Sequence, residues 1–465
     1  MATTKARLYG TLELTKNWFL FSVFKTTNIG PHRLIPLFKR ELKSTISTPW
    51  IDENDQVKNL NGTALKLAEV VQEFHQAFPQ YKLVKIALIL PTTFLQIRKV
   101  EKEIQIGENH QPGVITETTF NKLTNWSDDK SNENLTIIDN KIIHYWIDKQ
   151  QCDRDQLLGM KGQILTIDSL IYELPKQIVI SFQRLLNLAN LECLWMTTSL
   201  QSLHRNFEQK GAPSETLILT NWKEENLEMG FFENGWLKKV IIVPQGFDYI
   251  EKNLEQQLGL PKPILSRYLF KLIDYKSNNI DNQINICGIW DHRQKILKKY
   301  SLKNIQEIIG REFQKLYLFG LKQLFAHTIL PTSLVTYHFG LITKMAGMER
   351  LMSIINHLPH YNFRTMILGW GLNTHFHTAA GLVSTLEKIN NYALHPKVYT
   401  SQGSYLKPPT GDIETKITQE EVLVNNDKYL HNTHKKANPK QATKSRYFGR
   451  LEQDQTISDL AYIKA

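Results

Sequence analysis

Three short apolar runs joined by turns, between Leu217 and Gly246, constrain the fold more than any other feature of the sequence. The segment reads LILTNWKEENLEMGFFENGWLKKVIIVPQG. A polar turn follows the first run, and the pair Asn234 and Gly235 follows the second. Asn-Gly pairs favour the two-residue turns of antiparallel hairpins. The segment therefore predicts three consecutive antiparallel strands.

A second hairpin begins the chain. The segment Arg7 to Lys25 alternates apolar residues at its start and becomes aromatic and β-branched towards its end, a pattern typical of strands. A turn at Thr15 to Asn17 divides it into two predicted strands. The chain therefore has two halves that each start with a hairpin, which suggests a duplicated arrangement.

Helices are predicted wherever apolar residues recur every three or four positions. They are expected at residues 63–78, 177–191, 247–258 and 302–325. Further strands are expected at residues 83–91, at residues 94–106 and in LPTSLVTYHFG. The polar residues 107–136 are expected to form a loop. The segment THFHTAAGLVSTLEKI is expected to close the folded part. Strands mixed with helices predict an α/β protein.

The composition fits a folded chain with two to four structural units. Of 465 residues, 42% are hydrophobic and 22% are charged, as in ordinary globular proteins. The three cysteines, Cys152, Cys193 and Cys287, are widely spaced and odd in number, which favours a reducing compartment. No apolar run approaches the ~20 residues that span a bilayer, and the first residues lack a secretion signal. We therefore expect a cytoplasmic protein.

The charge leaves several partner classes open. A net charge of +11 would suit nucleic acid, an anionic membrane surface or an acidic partner. Because the sequence has neither zinc-finger spacing nor an aromatic RNA-binding motif, a solvated basic surface is the preferred interpretation and no nucleic-acid partner is expected. Beyond Asn391 the apolar pattern ends, so residues 391–465 are predicted to form a flexible basic tail.

The order of these segments resembles that of FtsA, a bacterial cell-division family in the actin/Hsp70 superfamily. The most specific part is LLGMKGQILTID, Leu157 to Asp168, which resembles the family's Gly-Met-x-Gly turn and the strand after it. Further matches occur in the family's order at EIQI, FFENGWLKKVIIVPQGFDYIEKNL, IQEIIGREFQKLYLFGLKQL and HTAAGL. The resemblance covers roughly residues 5–390. It implies a two-lobed actin-like ATPase fold with an FtsA-type insert subdomain.

The resemblance also implies how the chain divides and what it binds. The expected units are a first lobe at 1–80 and 166–205, an insert at 81–165, a second lobe at 206–254 and 328–390, and a small subdomain of that lobe at 255–327. The family links the tubulin-like division protein FtsZ to the inner face of the cell membrane, and self-association is a further option. The small subdomain would bind the FtsZ tail through Pro261, Arg267, Tyr268 and Lys271, together with the helix at 302–325. The tail would rest on anionic lipid through Arg446, Tyr447, Phe448, Arg450 and Leu451.

The nucleotide site of this superfamily holds Mg-ATP with two glycine-bearing hairpins. Glycine is needed because a Cβ would block the approach of backbone N–H groups to phosphate. Aligned without gaps on Gly235, the family's Asp-x-Gly-Gly-Gly falls on Asn221 to Glu225. An amide thus replaces the metal-binding carboxylate, and Lys223, Glu224 and Glu225 replace the glycines.

The other two loops of that site also depart from the family pattern. In the first hairpin Glu13 keeps the acid, but Thr15 replaces the glycine. The Thr-Gly-Gly of the adenosine loop falls on Thr336, Tyr337 and His338. We therefore predict a degenerate nucleotide site with no catalytic residue and no cofactor, in which ATP and Mg²⁺ bind only if the site survives. Its candidate contacts are Glu13, Thr15, Lys16, Asn221, Lys223, Gly246, Thr336, Tyr337 and Gly347.

Two alternatives remain open. One is an active actin-like ATPase that polymerises, with Glu13 and Asn221 around Mg²⁺. The other is a pilus-assembly type of actin-like platform, which docks a short peptide of a membrane protein. His375 and His377 would share a strand face, but without a third ligand they predict no metal site. No nucleophile motif and no glycine-rich phosphate loop of the P-loop type are present.

Overall fold

A computed structural model describes residues 7–27, 33–45, 48–108, 111–124, 133–208, 216–267, 275, 285–291, 293–326, 331, 333–355, 362–367 and 376–394. The strands are β1 (Arg7–Leu14), β2 (Trp18–Thr27), β3 (Arg33–Lys43), β4 (Lys85–Leu90), β5 (Gln96–Gln105), β6 (Gly113–Val114), β7 (Leu135–Ile147), β8 (Gln150–Cys152), β9 (Lys161–Gly162), β10 (Ile164–Pro175), β11 (Glu192–Thr198), β12 (Leu217–Trp222), β13 (Leu227–Glu233), β14 (Trp236–Val243), β15 (Asn285–Asp291), β16 (Ile296–Ser301), β17 (Ser333–Gly340) and β18 (Asn362–Ile367). The helices are α1 (Leu60–Ala77), α2 (Glu117–Thr124), α3 (Arg154–Leu157), α4 (Lys176–Leu188), α5 (Ser199–Glu208), α6 (Phe247–Leu258), α7 (Lys262–Arg267), α8 (Leu302–Leu324), α9 (Met348–Ile355) and α10 (His377–Leu394).

The first lobe is built on a five-stranded sheet with the order β11-β4-β1-β2-β3. β1, β2 and β3 form an antiparallel meander, and β1, β4 and β11 run parallel to one another. Helices α1 and α4 cover one face through Phe74 and Phe182, and α10 covers the other through Leu382 and Val383. Because both faces are covered, β4 is apolar at every position after Lys85.

The second lobe repeats this arrangement with the order β14-β13-β12-β17-β18. Again three antiparallel strands are followed by parallel pairing. Helices α6, α8 and α9 contribute Phe247, Phe313 and Met352 to the core of this lobe. On the other face, Leu200 and Leu203 of α5 belong to the same apolar cluster as the first lobe. The lobes therefore share a continuous core, and the two sheets have the duplicated order that the two hairpins suggested.

A third sheet, β5-β10-β7-β8, interrupts the first lobe between β4 and α4. It has its own core, in which Leu165 and Ile167 pack with Leu123 of α2. The inserted sheet spans residues 96–175 rather than 81–165, because β4 pairs within the first sheet and β10 continues to its end at Pro175. Helix α2 occupies part of the expected loop at 107–136, since Leu123 is buried in this core.

The end of the described chain returns to the first lobe. The sequence predicts second-lobe structure up to residue 390, whereas α10 contacts α5 and strands β1, β2 and β4. Its buried residues pack with Tyr9 and Phe24 of the first sheet. The predicted tail at 391–465 lies outside the described residues apart from the end of α10. Among the described helices, none has the length and apolar character needed to cross a bilayer.

The predicted turn at Asn234 and Gly235 is confirmed. Both residues have positive φ values, 52° and 81°, as the two-residue hairpin turn requires. β13 and β14 pair antiparallel on either side of it. The three strands predicted from Leu217 to Gly246 are therefore present as β12, β13 and β14.

We expect Phe74→Ala to lower the free energy of unfolding by about 3–5 kcal/mol, because the buried ring would leave a cavity beneath the first sheet. Leu65 lies on the same helix with 67% of its surface exposed, so Leu65→Ala is the control and should change stability by about 0.5 kcal/mol or less. Urea denaturation followed by circular dichroism measures both. Similar losses in the two variants would contradict the packing of α1 described above.

Candidate functional site

The candidate functional site is the cleft between the lobes, where the first turns of the two meanders meet. β1 ends before a turn at residues 15–17, and β12 ends before a turn at residues 223–226. Glu13 and Asn221 are each the second-to-last residue of their strand, and both line one cavity. The duplication therefore brings equivalent positions of the two lobes face to face.

The turn after β12 is held by the start of helix α6. The backbone N–H of Phe247 donates to the carbonyl oxygen of Lys223, and that of Asp248 donates to the carbonyl of Glu224, both at 3.0 Å. Gly246 permits this approach, because a Cβ there would lie 2.5 Å from both carbonyl oxygens. N–H groups at a helix N-terminus are common donors to phosphate. Here two of them bond to the chain itself.

The ammonium of Lys223 lies between two carboxylates at the centre of the cleft. Its Nζ is 2.8 Å from Glu228 Oε1 and 3.6 Å from Glu13 Oε1. Only 2% of Glu228 and 6% of Glu13 are exposed. Burial acts to lower the pKa of Lys223, but the charges of Glu228 and Glu13 outweigh it and raise the pKa above its ordinary value. The cation therefore remains charged at neutral pH and joins the first lobe to the second.

Hydroxyl and amide groups complete this network. The Thr378 hydroxyl of α10 donates to Glu13, and the Ser199 hydroxyl of α5 donates to Glu228. Asn221 Nδ2 also donates to Glu228, at 3.0 Å. Burial raises the pKa of Glu13, although Lys223 and Thr378 act in the opposite direction. Strands β1, β12 and β13 and helices α5 and α10 are thus tied to one buried cluster of charge.

Glu224 forms a second, more exposed link across the cleft. Its carboxylate accepts a hydrogen bond from Asn17 Nδ2 at 3.2 Å. It also lies 3.5 Å from Lys43 Nζ at the end of β3. Glu224 thus contacts the first lobe at two places from the position where the family pattern expects a glycine.

Side chains occupy much of the space between the lobes. One cavity, of about 40 Å³, is lined by Glu13, Asn221 and Lys223 together with Gly340 and Thr378. A second, of about 200 Å³, lies on the other side of Lys223. Pockets for drug-sized ligands usually measure about 300–1,000 Å³. The cleft therefore offers room for water or small ions rather than for a bulky ligand in this conformation.

The structure brings together five of the candidate nucleotide contacts, namely Glu13, Thr15, Lys16, Asn221 and Lys223, which line the two cavities. The other four line neither of them. Gly246 lies behind the turn against α6. Thr336 and Tyr337 are in the middle of strand β17 rather than in a loop, and Gly347 precedes α9. The glycine of β17 that borders the cleft is its last residue, Gly340, so the predicted Thr336 to His338 loop lies within a strand.

The other predicted residues lie elsewhere. His377 begins helix α10, so the expected strand face is wrong, and its ring packs on Phe339 with centroids 5.9 Å apart. His375 is outside the described residues. No group of three acids, histidines or cysteines in the described part of the chain is placed to hold a metal directly.

The predicted partner contacts are described only in part. Pro261 is exposed before α7, and Arg267 ends that helix. The remaining predicted partner and membrane contacts lie outside the described residues, namely Tyr268, Lys271, Arg446, Tyr447, Phe448, Arg450 and Leu451.

Sequence reasoning missed three members of the central network: Glu228, Ser199 and Thr378. Glu228 has a local signal, because it is the only charged residue among the first six positions of the apolar strand β13, and a buried charge needs a partner. Glu13 carries a similar signal in β1, where it is the only charged residue after Arg7. Ser199 and Thr378 have none, since small hydroxyl residues are ordinary at such helix positions.

Comparisons with solved structures define the class of fold. A structure described as the PilM-PilN type IV pilus biogenesis complex matches 82% of this chain and 98% of its own, with 9% sequence identity and a TM-score of 0.50. The ethanolamine utilization protein EutJ from Carboxydothermus hydrogenoformans has a TM-score of 0.42 at 10% identity, covering 81% of this chain and 89% of its own. MreB5 of Spiroplasma citri bound to ADP has the same score at 8% identity, covering 83% and 98%.

The fold is the two-lobed actin-like ATPase fold. The predicted fold class is thereby confirmed. No protein-family model matches the sequence. No curated protein matches it either.

We expect Lys223→Met to lower the free energy of unfolding by about 3–5 kcal/mol at neutral pH, because two carboxylates would stay buried without their counter-charge. The pKa of Glu13 is raised in the folded chain, so between its ordinary and folded pKa values the folded state binds more protons than the unfolded state. Stability of the variant should therefore increase as the pH falls through that window. Urea titrations at pH 5 and pH 8 measure this difference.

Lys262→Met is the control for this experiment. Lys262 pairs with Asp248 and Glu251, but 55% of its side chain is exposed, so its loss should cost about 1 kcal/mol or less. A Lys223 variant no less stable than the Lys262 variant would argue against a buried cation that joins the lobes.

Proposed function

We propose that this chain is a docking adaptor with an actin-like fold, whose interlobe cleft is held together by its own charged side chains. The observation that carries the proposal is the position of Lys223, between Glu13 of the first lobe and Glu228 of the second. The resemblance would place a phosphate group in this cleft as the anion. Here two protein carboxylates take that role.

Electrostatics supports this view. Glu224 and Glu225 lie in the turn where the resemblance places the triphosphate, and Lys223 is already engaged. Two like charges at ~4 Å repel by about 4 kcal/mol at the effective dielectric typical near a protein surface. Opening the cleft to a nucleotide would also separate the lobes at Glu224, which contacts Asn17 and Lys43. We therefore infer that neither binding nor hydrolysis of ATP is part of the activity.

The docking surface that we propose is the hairpin of β15 and β16, which lies in the expected small subdomain. Trp290 and Leu297 are directly opposite in its register, so they share one face. They are 41% and 49% exposed, and Ile296 beside them is 48% exposed. Large exposed apolar residues close together commonly mark interaction sites.

Charge and backbone indicate the kind of partner that this hairpin would bind. The surrounding exposed cations are Arg293, Lys295, Lys298 and Lys299. Among the described residues, β15 and β16 pair only with each other, so each has an edge to which an extended peptide can add. A short acidic segment with apolar anchors fits these features.

Two partners of this kind are candidates. The first is the FtsZ tail, which the resemblance to FtsA implies, with the chain linking FtsZ to the membrane or to other division proteins. The second is a pilus-assembly peptide, and the similarity to the structure titled as a PilM-PilN complex favours it. Fluorescence anisotropy with labelled peptides of both kinds, in the absence of ATP, decides between them. Failure of both peptides to bind at micromolar concentrations would overturn the docking proposal.

We expect Leu297→Ala to weaken peptide binding at least tenfold, because the exposed side chain would anchor an apolar residue of the partner. Leu65→Ala is the matched control: it removes the same atoms from an exposed leucine on the opposite lobe. Its affinity for the peptide should equal that of the unmodified chain. Equal affinities for all three proteins would show that Leu297 does not contribute to the docking surface.

Isothermal titration with ATP and Mg²⁺ tests the state of the cleft. We expect no saturable heat up to millimolar nucleotide, because Lys223 is paired and Glu224 and Glu225 repel the triphosphate. A clear isotherm would instead support the alternative of an active ATPase that polymerises. Sedimentation with and without ATP then measures whether nucleotide drives filament formation.

A further inference from the structure

Strand β16 of the docking hairpin presents exposed side chains in a distinctive order. It begins with two apolar residues, Ile296 and Leu297, and continues with two cations, Lys298 and Lys299. All four are exposed. Among the described residues, β16 pairs only with β15. A segment that adds to the other edge of β16 would therefore meet first apolar residues and then positive charge, or the reverse.

The side chains of β16 alternate between the two faces of the hairpin. Leu297 is directly opposite Trp290 of β15, so Leu297 and Lys299 lie on the face that carries Trp290. Ile296 and Lys298 lie on the other face. Each face thus offers one apolar residue and one cation, and an added strand must match them at four consecutive positions.

The chain itself contains a segment with the complementary order, in the part that lies outside the described residues. Its sequence is Glu420, Glu421, Val422 and Leu423. Placed antiparallel to β16, it gives the pairs Glu420 with Lys299, Glu421 with Lys298, Val422 with Leu297, and Leu423 with Ile296. Each acid then meets a cation, and each apolar residue meets an apolar residue. Both kinds of cross-strand pair stabilise a sheet.

Charge is distributed unevenly around this segment. Residues 412–427 contain five acids and one lysine, whereas residues 428–450 contain seven lysine and arginine residues and no acid. The hairpin, residues 285–301, has four lysine and arginine residues and one acid. It therefore attracts the first of the two segments and repels the second. Charge complementarity selects the same part of the chain that the order of residues selects.

The segment is close enough along the chain to reach the hairpin. Helix α10 ends at Leu394, and residues 395–416 follow it. Fully extended, these residues span about 75 Å, whereas a compact chain of about 390 residues has a radius of gyration of about 21 Å. A flexible connection of this kind holds a segment near its site at an effective concentration of about 1 mM.

We propose that the segment Glu420 to Leu423 of this chain adds to β16 as an antiparallel strand and occupies the docking surface until a partner displaces it. This inference rests on the proposed function, because it assigns an internal competitor to the same hairpin. It also specifies the partner more closely. A competing peptide would present two acids followed by two apolar residues, since only that order pairs with all four residues of β16.

Hydrogen exchange of the full chain, measured by mass spectrometry, tests the internal contact. We expect the amides of residues 420–423 to exchange at least tenfold more slowly than in the double variant Glu420→Lys, Glu421→Lys, because an added strand bonds its N–H groups into the ladder. Residues 296–299 should lose protection in the same variant. Unchanged exchange of both segments would overturn the proposal.

Two further variants control for charge and for register. Asp412→Lys combined with Glu414→Lys makes the same change of charge in the same tail and should leave the exchange of both segments unaltered. Adding Lys298→Glu and Lys299→Glu to the first double variant reverses both members of each ion pair, so protection should return. A loss of protection in the control, or no return of it after the charge swap, would contradict the assigned pairing.

Protein concentration distinguishes an internal contact from one between two copies. Because the segment and β16 belong to the same chain, we expect the protection of both to be independent of concentration. Protection that increases with concentration would assign the segment to the hairpin of a second copy and would overturn the internal contact.

Peptide binding separates this inference from the proposed function. The variant Glu420→Lys, Glu421→Lys should bind a partner peptide about tenfold more tightly than the unmodified chain, since an internal segment with a Kd of about 100 µM at about 1 mM occupies most of the sites. Equal affinities would overturn the internal contact and leave the adaptor role intact. Protection that depends on Glu420 and Glu421, in a chain that binds neither partner peptide, would retain the internal contact and exclude the adaptor role.

Discussion

The ammonium of Lys223 imposes the constraint on which the cleft depends. It is one residue past the end of β12, yet its two carboxylate partners come from β1 and β13. A lysine this buried is tolerated only when paired, so the register of both meanders must bring Glu13 and Glu228 to it. The same cation therefore links the local geometry of one turn to the relative position of two lobes.

A difference between the two duplicated lobes explains why one lysine is enough. Glu13 and Asn221 occupy equivalent places in two sheets of the same strand order. If both were acids, the centre of the cleft would hold three carboxylates with Glu228 and need a second cation. Because Asn221 is an amide, it donates to Glu228 instead. The asymmetry between the two positions lets a single charge satisfy both lobes.

Much of the fold could be predicted from the sequence, because apolar residues tend to alternate in strands and to recur every three or four positions in helices. The three strands after Leu217 and the helices α1, α4, α6 and α8 are at the predicted places. The site was harder to predict, since its contacts join residues that are far apart in the sequence. The hydrogen bond from Thr378 to Glu13, for example, joins residues 365 positions apart. The alignment of Thr336 with an adenosine loop failed because a residue type at one position does not show where a strand ends.

Two glycines at the cleft allow close contacts between backbone segments of this chain. Gly246 lets the start of α6 reach the carbonyl oxygens of Lys223 and Glu224. Gly340 has a φ of 80°, and a Cβ there would lie 2.3 Å from the carbonyl oxygen of Trp222. Both glycines are thus required by contacts between segments of this chain. Where backbone meets backbone so closely, the chain itself fills the space beside the two turns of the cleft.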